Sequence, residues 1–195
     1  MREFLLLLSK GRTTADFDSC NAYAAGRLDI ACRFITNCLC ISNSIRSDTI
    51  VHIALNGPKD PPKMITIEGN KITGLKPDEK SALILIKSAL VKKLKGVEEC
   101  EASPGLKVSK MSFEAFLKQK KDAKLYYLHE SGADIRSENF TGNSLFIIGD
   151  YSGLPGKAEM FVSRLCAESI SLGPKTLLAS QCATIIHNEL DRKGN

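Results

Sequence analysis

Short apolar runs alternate along the chain with segments whose apolar residues recur every three or four positions. An apolar run that ends at polar or glycine-rich turns is typical of a buried strand, and the three-to-four spacing is typical of a helix with one buried face. Strands that alternate with helices favour a mostly parallel sheet covered by helices. We therefore predict an α/β fold, with a mostly parallel sheet flanked by helices.

The pattern assigns most of the chain to individual elements. Strands are predicted at residues 2–8, 49–55, 106–108, 125–129, 145–148 and 169–172. Helices are predicted at residues 26–42, 77–95, 112–120 and 176–190, with a further helix-like segment after residue 156. The Gly69-Asn70 pair between the apolar segments 64–67 and 71–73 predicts a β-hairpin. Residues 96–105 and 130–143 are expected to be loops.

The last third of the chain carries the clearest arrangement. The apolar run 145–148 ends at Gly149, a glycine-rich loop follows, and a second apolar run at 169–172 ends at the Gly173-Pro174 pair. Strands that stop at glycine place backbone loops at the carboxyl edge of a parallel sheet, where α/β proteins bind small ligands. We therefore expect a ligand site between Gly149 and Cys182.

Composition narrows the class of protein. The chain has 195 residues, of which 43% are apolar and 25% charged, as expected for one globular domain over residues 1–195. It contains no uninterrupted apolar stretch of about 18 residues, so no membrane span is expected. Glu3 within the apolar start favours a strand over a signal peptide. The net charge of +5 permits a nucleic-acid partner without requiring one.

The seven cysteines and three histidines show no spacing typical of a metal or catalytic site. No Cys-x-x-Cys pair occurs and several cysteines lie in apolar runs, which predicts reduced, buried thiols in a cytoplasmic protein. No metal requirement is expected, because no His/Cys/Asp cluster has the spacing of ligands. His52, His129 and His187 lack a partner at a recognisable spacing, and each is interpreted as structural.

Several motifs resemble one class of enzymes. They are FIIGDYSGLP at 146–155, ESISLGPKTLLASQCATIIHNELDR at 168–192, AAGRLDIACRFI at 24–35 and YYLHESG at 126–132. Together they resemble the SPOUT class of S-adenosylmethionine-dependent RNA methyltransferases. Within it they are most similar to the archaeal tRNA pseudouridine-54 N1-methyltransferases, with the Nep1-type rRNA pseudouridine methyltransferases behind them. The resemblance covers nearly the whole chain.

The resemblance implies a feature that the residue pattern alone does not predict. SPOUT enzymes thread the C-terminal helix through a loop in a deep trefoil knot, here within about 124–192, and bind S-adenosylmethionine in the knot loops. By resemblance the pocket is formed by Leu128, Gly149, Leu172, Gly173, Pro174, Lys175, Thr176 and Leu177, with Cys182 facing it. The alternative is that Gly149 and Gly173-Pro174 are ordinary strand-ending turns and that Cys182 is a core residue.

Asp29 is the first candidate for a catalytic group. It lies in the first turn of a predicted helix, beside Arg27 and one turn before Arg33. A carboxylate there could accept the proton from N1 of pseudouridine, while the arginines grip neighbouring phosphates. The alternative is a helix-opening acid that pairs with Arg33. Asp78 and Glu79 are second candidates for the catalytic carboxylate. The alternative is that they are acids at the start of a helix, with no catalytic role.

The favoured interpretation is an enzyme that methylates N1 of the pseudouridine at position 54, in the T-loop of tRNA. Candidate residues for tRNA contact are Arg27, Arg33, Arg46, Lys92, Lys93 and Lys95. Alternatives are a different SPOUT specificity, such as an rRNA pseudouridine or a ribose 2′-hydroxyl, and a non-catalytic RNA-binding module. The substrate rests on the resemblance, because no set of residues here encodes a base identity.

The closing helix predicts a homodimer. The helix has an apolar stripe and, beside it, a second apolar edge at Leu177. The sheet can cover only one of these two surfaces. A two-fold symmetric partner is the commonest way to bury the other surface. The stripe consists of Leu178, Cys182, Ile185, Ile186 and Leu190. SPOUT enzymes pair in this way, which implies active sites shared between subunits.

Overall fold

The computed structural model describes residues 1–94, 98–140, 142–165 and 167–194. The strands are β1 (Arg2–Leu8), β2 (Cys40–Ile41), β3 (Ser44–Ile45), β4 (Thr49–Leu55), β5 (Lys63–Glu68), β6 (Glu99–Ser103), β7 (Leu106–Ser109), β8 (Lys124–Asp134), β9 (Ser144–Ile148) and β10 (Glu168–Ser171). The helices are α1 (Leu28–Leu39), α2 (Glu79–Val91), α3 (Phe113–Gln119), α4 (Gly156–Arg164) and α5 (Ala179–Arg192).

Eight strands form one sheet in the order β10-β8-β9-β1-β4-β5-β7-β6. The five strands from β10 to β4 run parallel, and β5, β7 and β6 continue the sheet in antiparallel pairs. This confirms the predicted α/β class with a mostly parallel central sheet flanked by helices. The parallel part contains the three strands of the last third of the chain, β8, β9 and β10.

The central strand β1 shows why the sheet is covered on both faces. All seven of its residues are buried, as expected for a parallel strand between two helical layers. Phe4, Leu6 and Leu8 pack into the core under α1, α2 and α5. Leu5 and Leu7 face the other way, into a smaller core with residues of α3 and α4. Because side chains alternate along a strand, one apolar run supplies both cores.

The predicted hairpin around Gly69 is wrong. The backbone N–H groups of Lys71 and Ile72 donate to the Glu68 carbonyl at 3.1 and 3.0 Å, so the chain turns out of the sheet after β5. The edge of β5 is instead paired with β7, in a register that places Met64 opposite Ser109. The turn residues therefore did not determine the pairing of β5, because its partner is a strand about forty residues further along the chain.

Two predicted loops are also partly wrong. Residues 99–103 form β6 at the edge of the sheet, although polar residues there gave no strand pattern. β8 continues to Asp134, well beyond the predicted end at His129. Lys95 and Gly96, predicted to end a helix and begin a loop, lie outside the described residues, and so does Cys166. Within the described residues, none of the helices has the length and apolar composition needed to span a bilayer.

Candidate functional site

A cleft of about 670 Å³ opens at the carboxyl edge of the sheet. It lies where β8, β9 and β10 end side by side, against the first turns of α1 and α5. The residues of the predicted pocket that line it are Leu128, Gly149, Leu172, Gly173, Lys175, Thr176, Leu177 and Cys182. Three segments far apart in sequence thus meet in one concave site, because parallel strands end at the same edge. Pro174 is exposed and is not among the described residues that line the cleft.

The loop after β9 requires glycine for close packing of backbone. A Cβ atom at Gly149 would lie 2.2 Å from the carbonyl carbon of Gly153 and 2.5 Å from the nitrogen of Leu154. Asp150 holds the same turn: its carboxylate accepts from the Ser152 N–H at 2.9 Å, and its carbonyl accepts from the Gly153 N–H at 3.0 Å. The loop is therefore a tight, internally bonded wall of the cleft.

The middle of β8 opens the cleft, because its pairing with β10 is interrupted there. Tyr127 is opposite Ser169, but the next residue of β10, Ile170, is opposite Ala133. Residues 128–132 consequently leave the ladder, and Leu128, with the two residues after it, lines the cleft. A Cβ atom at Gly132 would lie 2.6 Å from the backbone of Ile170, so glycine is needed where the chain returns to β10.

The third wall runs from the end of β10 into α5. Gly173 has a φ of 123°, a region that L side chains avoid. The Gln181 side chain accepts from the Leu178 N–H at 2.9 Å and so fixes the start of the helix. Cys182 lies one helical turn after Leu178, where it is buried and lines the cleft. Burial raises the pKa of its thiol to about 11. The thiol is protonated at neutral pH and offers an apolar, uncharged surface.

The predicted catalytic trio forms one connected cluster. Arg27 donates to Asp29 through Nε at 2.9 Å and Nη2 at 3.2 Å, and Arg33 donates to the same carboxylate at 2.6 Å. Both arginines line the cleft. Asp29 is only 6% exposed and lies behind them, not on the cleft surface. The predicted i,i+4 pair with Arg33 is therefore present, and the carboxylate anchors both guanidinium groups.

Arg27 is also held by two tyrosines that the sequence pattern did not single out. Its guanidinium carbon lies 4.8 Å from the ring centre of Tyr23 and 4.9 Å from that of Tyr151. The hydrogen bonds to Asp29 raise the pKa of Arg27 above its usual value, so the group is a permanent cation. Tyr151 belongs to the FIIGDYSGLP motif, but nothing in its spacing indicates a partner more than a hundred residues away.

A second polar group on the cleft wall was also missed. The Tyr127 hydroxyl donates to Glu159 of α4 at 2.8 Å, and His129 Nε2 lies 3.7 Å from the same carboxylate oxygen. Burial raises the pKa of Tyr127, and the bond to Glu159 raises it further. All three residues line the cleft. They give the cleft hydrogen-bonding groups in addition to those of the two arginines.

The remaining candidates lie elsewhere. Arg46 donates to Asp191 at 3.1 and 2.6 Å, beside a separate cavity of about 380 Å³. Asp78 caps α2 by accepting from the Ser81 N–H at 2.7 Å, as its alternative interpretation predicted. Lys92 and Lys93 are exposed just after α2. In the part of the chain that the structure describes, no group of three or more His, Cys, Asp or Glu side chains is placed to hold a metal ion.

These features define an α/β protein with a mostly parallel sheet and a small-ligand site in the glycine-walled cleft at its carboxyl edge. The two anchored arginines at this cleft are suited to bind the phosphates of a polyanion. A family model described as "Putative SAM-dependent RNA methyltransferase" matches residues 1–195. The chain belongs to this family of S-adenosylmethionine-dependent RNA methyltransferases. The resemblance seen in the motifs is thereby confirmed.

Individual relatives agree with the family. The chain is 41% identical over 197 residues to a protein of Methanococcoides burtonii named tRNA (pseudouridine(54)-N(1))-methyltransferase, covering 98% of this chain and 96% of that protein. A protein of Methanopyrus kandleri with the same name is 37% identical, with 99% and 94% covered. Among solved structures, Archaeoglobus fulgidus Nep1 bound to S-adenosylhomocysteine shares the fold, with a TM-score of 0.69 over 99% of both chains at 13% identity.

Proposed function

We propose that the chain transfers the methyl group of S-adenosylmethionine to N1 of the pseudouridine at position 54 of tRNA. The names of relatives that are 34–41% identical over nearly the whole chain support this specificity. The observation that carries the methyl-transfer activity is the cleft itself. Its glycine-walled loops form a ligand site, and Arg27 and Arg33 stand at the same cleft, where a polyanionic substrate has to approach.

The cleft suits S-adenosylmethionine in size and in chemistry. A volume of about 670 Å³ lies within the range of small-molecule sites. Leu128, Leu172 and Leu177 supply half-buried apolar surface for the purine. The loops at 149–153 and 172–177, the second through Gly173, Lys175 and Thr176, would supply backbone groups for the base edge and the sugar. When bound, the cofactor would supply an electrophilic methyl group, and Cys182 would be among the cleft residues that hold it.

The protein's own contribution is positioning. Methyl transfer is an in-line displacement, so alignment of the nucleotide matters most. Arg27 and Arg33 bind the phosphates that flank the target nucleotide, and Asp29 holds both guanidinium groups in place. Asp29 also remains the candidate base for the N1 proton, a role that requires one carboxylate oxygen to leave an arginine.

The test uses two transcripts of the same tRNA, one with pseudouridine and one with uridine at position 54, and cofactor with a tritiated methyl group. We expect transfer to the pseudouridine transcript only, because uridine attaches to its ribose through N1. Equal transfer to both would indicate a ribose 2′-hydroxyl. Transfer only to a small-subunit rRNA fragment would indicate a Nep1-like specificity, and no transfer to any RNA would leave an RNA-binding module.

The knot and the domain organisation belong to the same proposal. The chain is one SPOUT domain over residues 1–195, with the cofactor-binding knot at about 124–192 and α5 as the threaded element. Its place of action is the cytoplasm, where tRNA is modified. The contact between α5 and α1 and the convergence of the segments near Leu128, Gly149 and Leu172 on one cleft support this arrangement.

The active form is a homodimer. Much of the predicted stripe on α5 is buried within the chain itself, including Cys182, Ile186 and Leu190. At the start of α5, however, Leu178 is 56% exposed at the cleft, beside half-buried Leu177. A two-fold partner would cover this edge. The expected scattering mass is twice the 21.3 kDa of the chain down to low micromolar concentration; a mass of one chain would contradict the dimer.

A further inference from the structure

Tyr151 connects the cofactor side of the cleft to its RNA side. It lies in the loop whose glycines form the wall after β9, and its ring packs on the guanidinium of Arg27 at the start of α1. The ring is 57% exposed, so core packing does not explain its position. An aromatic face within about 6 Å of a guanidinium attracts it and limits its rotation.

Arg27 is held in an uncommon backbone conformation. Its φ is 67° and its ψ is 34°, the left-handed region, and Gly26 before it has a φ of 74°. A residue with a side chain stays in this region when its surroundings hold it there. Here the Arg27 N–H donates to the Tyr23 carbonyl at 3.0 Å, and the side chain is bound by Asp29 and lies over the rings of Tyr23 and Tyr151. Of these contacts, the one with Tyr151 depends on the loop after β9.

That loop has little freedom to move without moving Tyr151. The bonds from Ser152 to Asp150 and from Gly153 to Asp150 enclose Tyr151 within the turn. Asp150 Oδ2 also accepts from the Ser9 N–H at 3.2 Å, which ties the turn to the end of β1. A ligand that packs against the loop at 149–153 therefore fixes the ring of Tyr151, and through it the guanidinium of Arg27.

We propose that Tyr151 is a positioning residue that couples cofactor binding to tRNA binding. With the cleft filled, the Tyr151 ring holds Arg27 in the orientation that meets an RNA phosphate. This inference rests on the proposed function, since it assumes both ligands. Because coupling free energy is reciprocal, bound tRNA must strengthen cofactor binding by the same factor.

The test measures the Kd of tRNA with and without saturating S-adenosylhomocysteine for the parent, Tyr151→Phe and Tyr151→Ala. We expect tRNA to bind the parent about 5-fold or more tighter when S-adenosylhomocysteine is present, within the usual range of such coupling. Tyr151→Phe keeps the ring and should retain the coupling. Tyr151→Ala should lose it, so that the Kd of tRNA is the same with and without S-adenosylhomocysteine. Met160→Ala, at an equally exposed position on α4, is the matched control and should behave as the parent.

A double-mutant cycle shows whether the coupling passes through Arg27. If it does, Tyr151→Ala removes no further coupling from a chain that already carries Arg27→Ala. Coupling of parental size in Tyr151→Ala, or no coupling or no tRNA binding in the parent, overturns the inference. Methyl transfer is measured separately. Coupling without methyl transfer would support the role of Tyr151 and refute the proposed reaction. Methyl transfer without coupling would support the proposed reaction and refute the role of Tyr151.

Discussion

At the scale of single residues, Asp29 holds the two arginines that line the cleft. Its place in a first helical turn, one turn before Arg33, predicts the ion pair that the structure contains at 2.6 Å. The sequence does not predict that Arg27, two positions before it, bends back to bond the same carboxylate. That bond depends on the left-handed backbone at Gly26 and Arg27, a conformation that no periodic pattern indicates.

Asp29→Asn should reduce kcat/KM for tRNA by about tenfold or more, because an amide offers the two guanidinium groups one acceptor where the carboxylate offers two. The Kd for S-adenosylmethionine alone should change less than about twofold. Steady-state kinetics and calorimetry measure the two quantities. A raised tRNA Kd would identify a positioning role, and a fall in kcat alone would identify a base.

Asp78→Asn is the matched control for this change, since Asp78 caps α2 outside the cleft and asparagine caps helices equally well. We expect parental kinetics from it. Parental kcat/KM in Asp29→Asn would mean that neither a base nor an anchor is needed at this position.

At the scale of elements, the strands that form the candidate site were the most predictable part of the chain. β9 is a short apolar run followed directly by Gly149, and β10 ends two residues before Gly173; both lie within about one residue of the bounds that the pattern predicts. The elements that were missed have two different causes. β6 pairs with β7, which follows it after only two residues, but its polar residues carry no strand pattern. β8 extends to Asp134 because β10 pairs with it again beyond the irregularity, and that partner lies outside any local window.

Gly149→Ala should weaken S-adenosylmethionine binding at least about tenfold, because the added Cβ meets the Gly153 backbone at 2.2 Å and displaces the cleft wall. The added methyl group would collide with the backbone of the loop and would not occupy the ligand pocket itself. Isothermal titration calorimetry measures the affinity, and circular dichroism checks the fold.

The same change at Gly156, at the first position of α4, is the control for this variant. A Cβ there meets nothing within 4 Å, and alanine favours a helix. We expect Gly156→Ala to bind as the parent does. Equal binding by both variants would place the cofactor away from the loop after β9.

At the scale of the whole molecule, a buried polar cluster fastens the last helix to the first strand. Arg2 donates to His187 Nδ1 at 3.2 Å and to Asp191 at 2.6 Å, and Arg46 bonds the same carboxylate. A guanidinium only donates, so Nδ1 must accept and His187 is neutral. The sequence predicts a structural role for His187, but not this contact between residues 185 positions apart.

This cluster should make stability depend on pH on the acid side of neutrality. Burial, and after it the charges of Arg46 and Arg2, lower the pKa of His187 from 6.5 to about 4. Between these values the unfolded chain binds a proton that the folded chain does not. The contribution of neutral His187 to the free energy of unfolding is therefore complete above pH 6.5 and is lost as the pH falls toward 4.

We expect the free energy of unfolding to fall by about 2 kcal/mol between pH 7 and pH 5 through His187. Urea titrations of the parent and of His187→Gln measure the difference. The carboxylates of Glu3 and Asp191, whose pKa values are lowered to about 2, contribute only at lower pH. His52, whose pKa burial also lowers, remains in both chains and cancels. An unchanged pH dependence in His187→Gln would refute the assignment.

The central claim is that a methyl group is placed on N1 of one pseudouridine of tRNA, and nucleoside mass spectrometry tests it most directly. A tRNA transcript with pseudouridine at position 54 is incubated with the protein and S-adenosylmethionine, and its T-loop fragment is isolated and digested. We expect one pseudouridine that is heavier by a methyl group, with the added mass on the base and not on the ribose. An unmodified T-loop fragment, or a methyl group on the ribose or at another position, would contradict it.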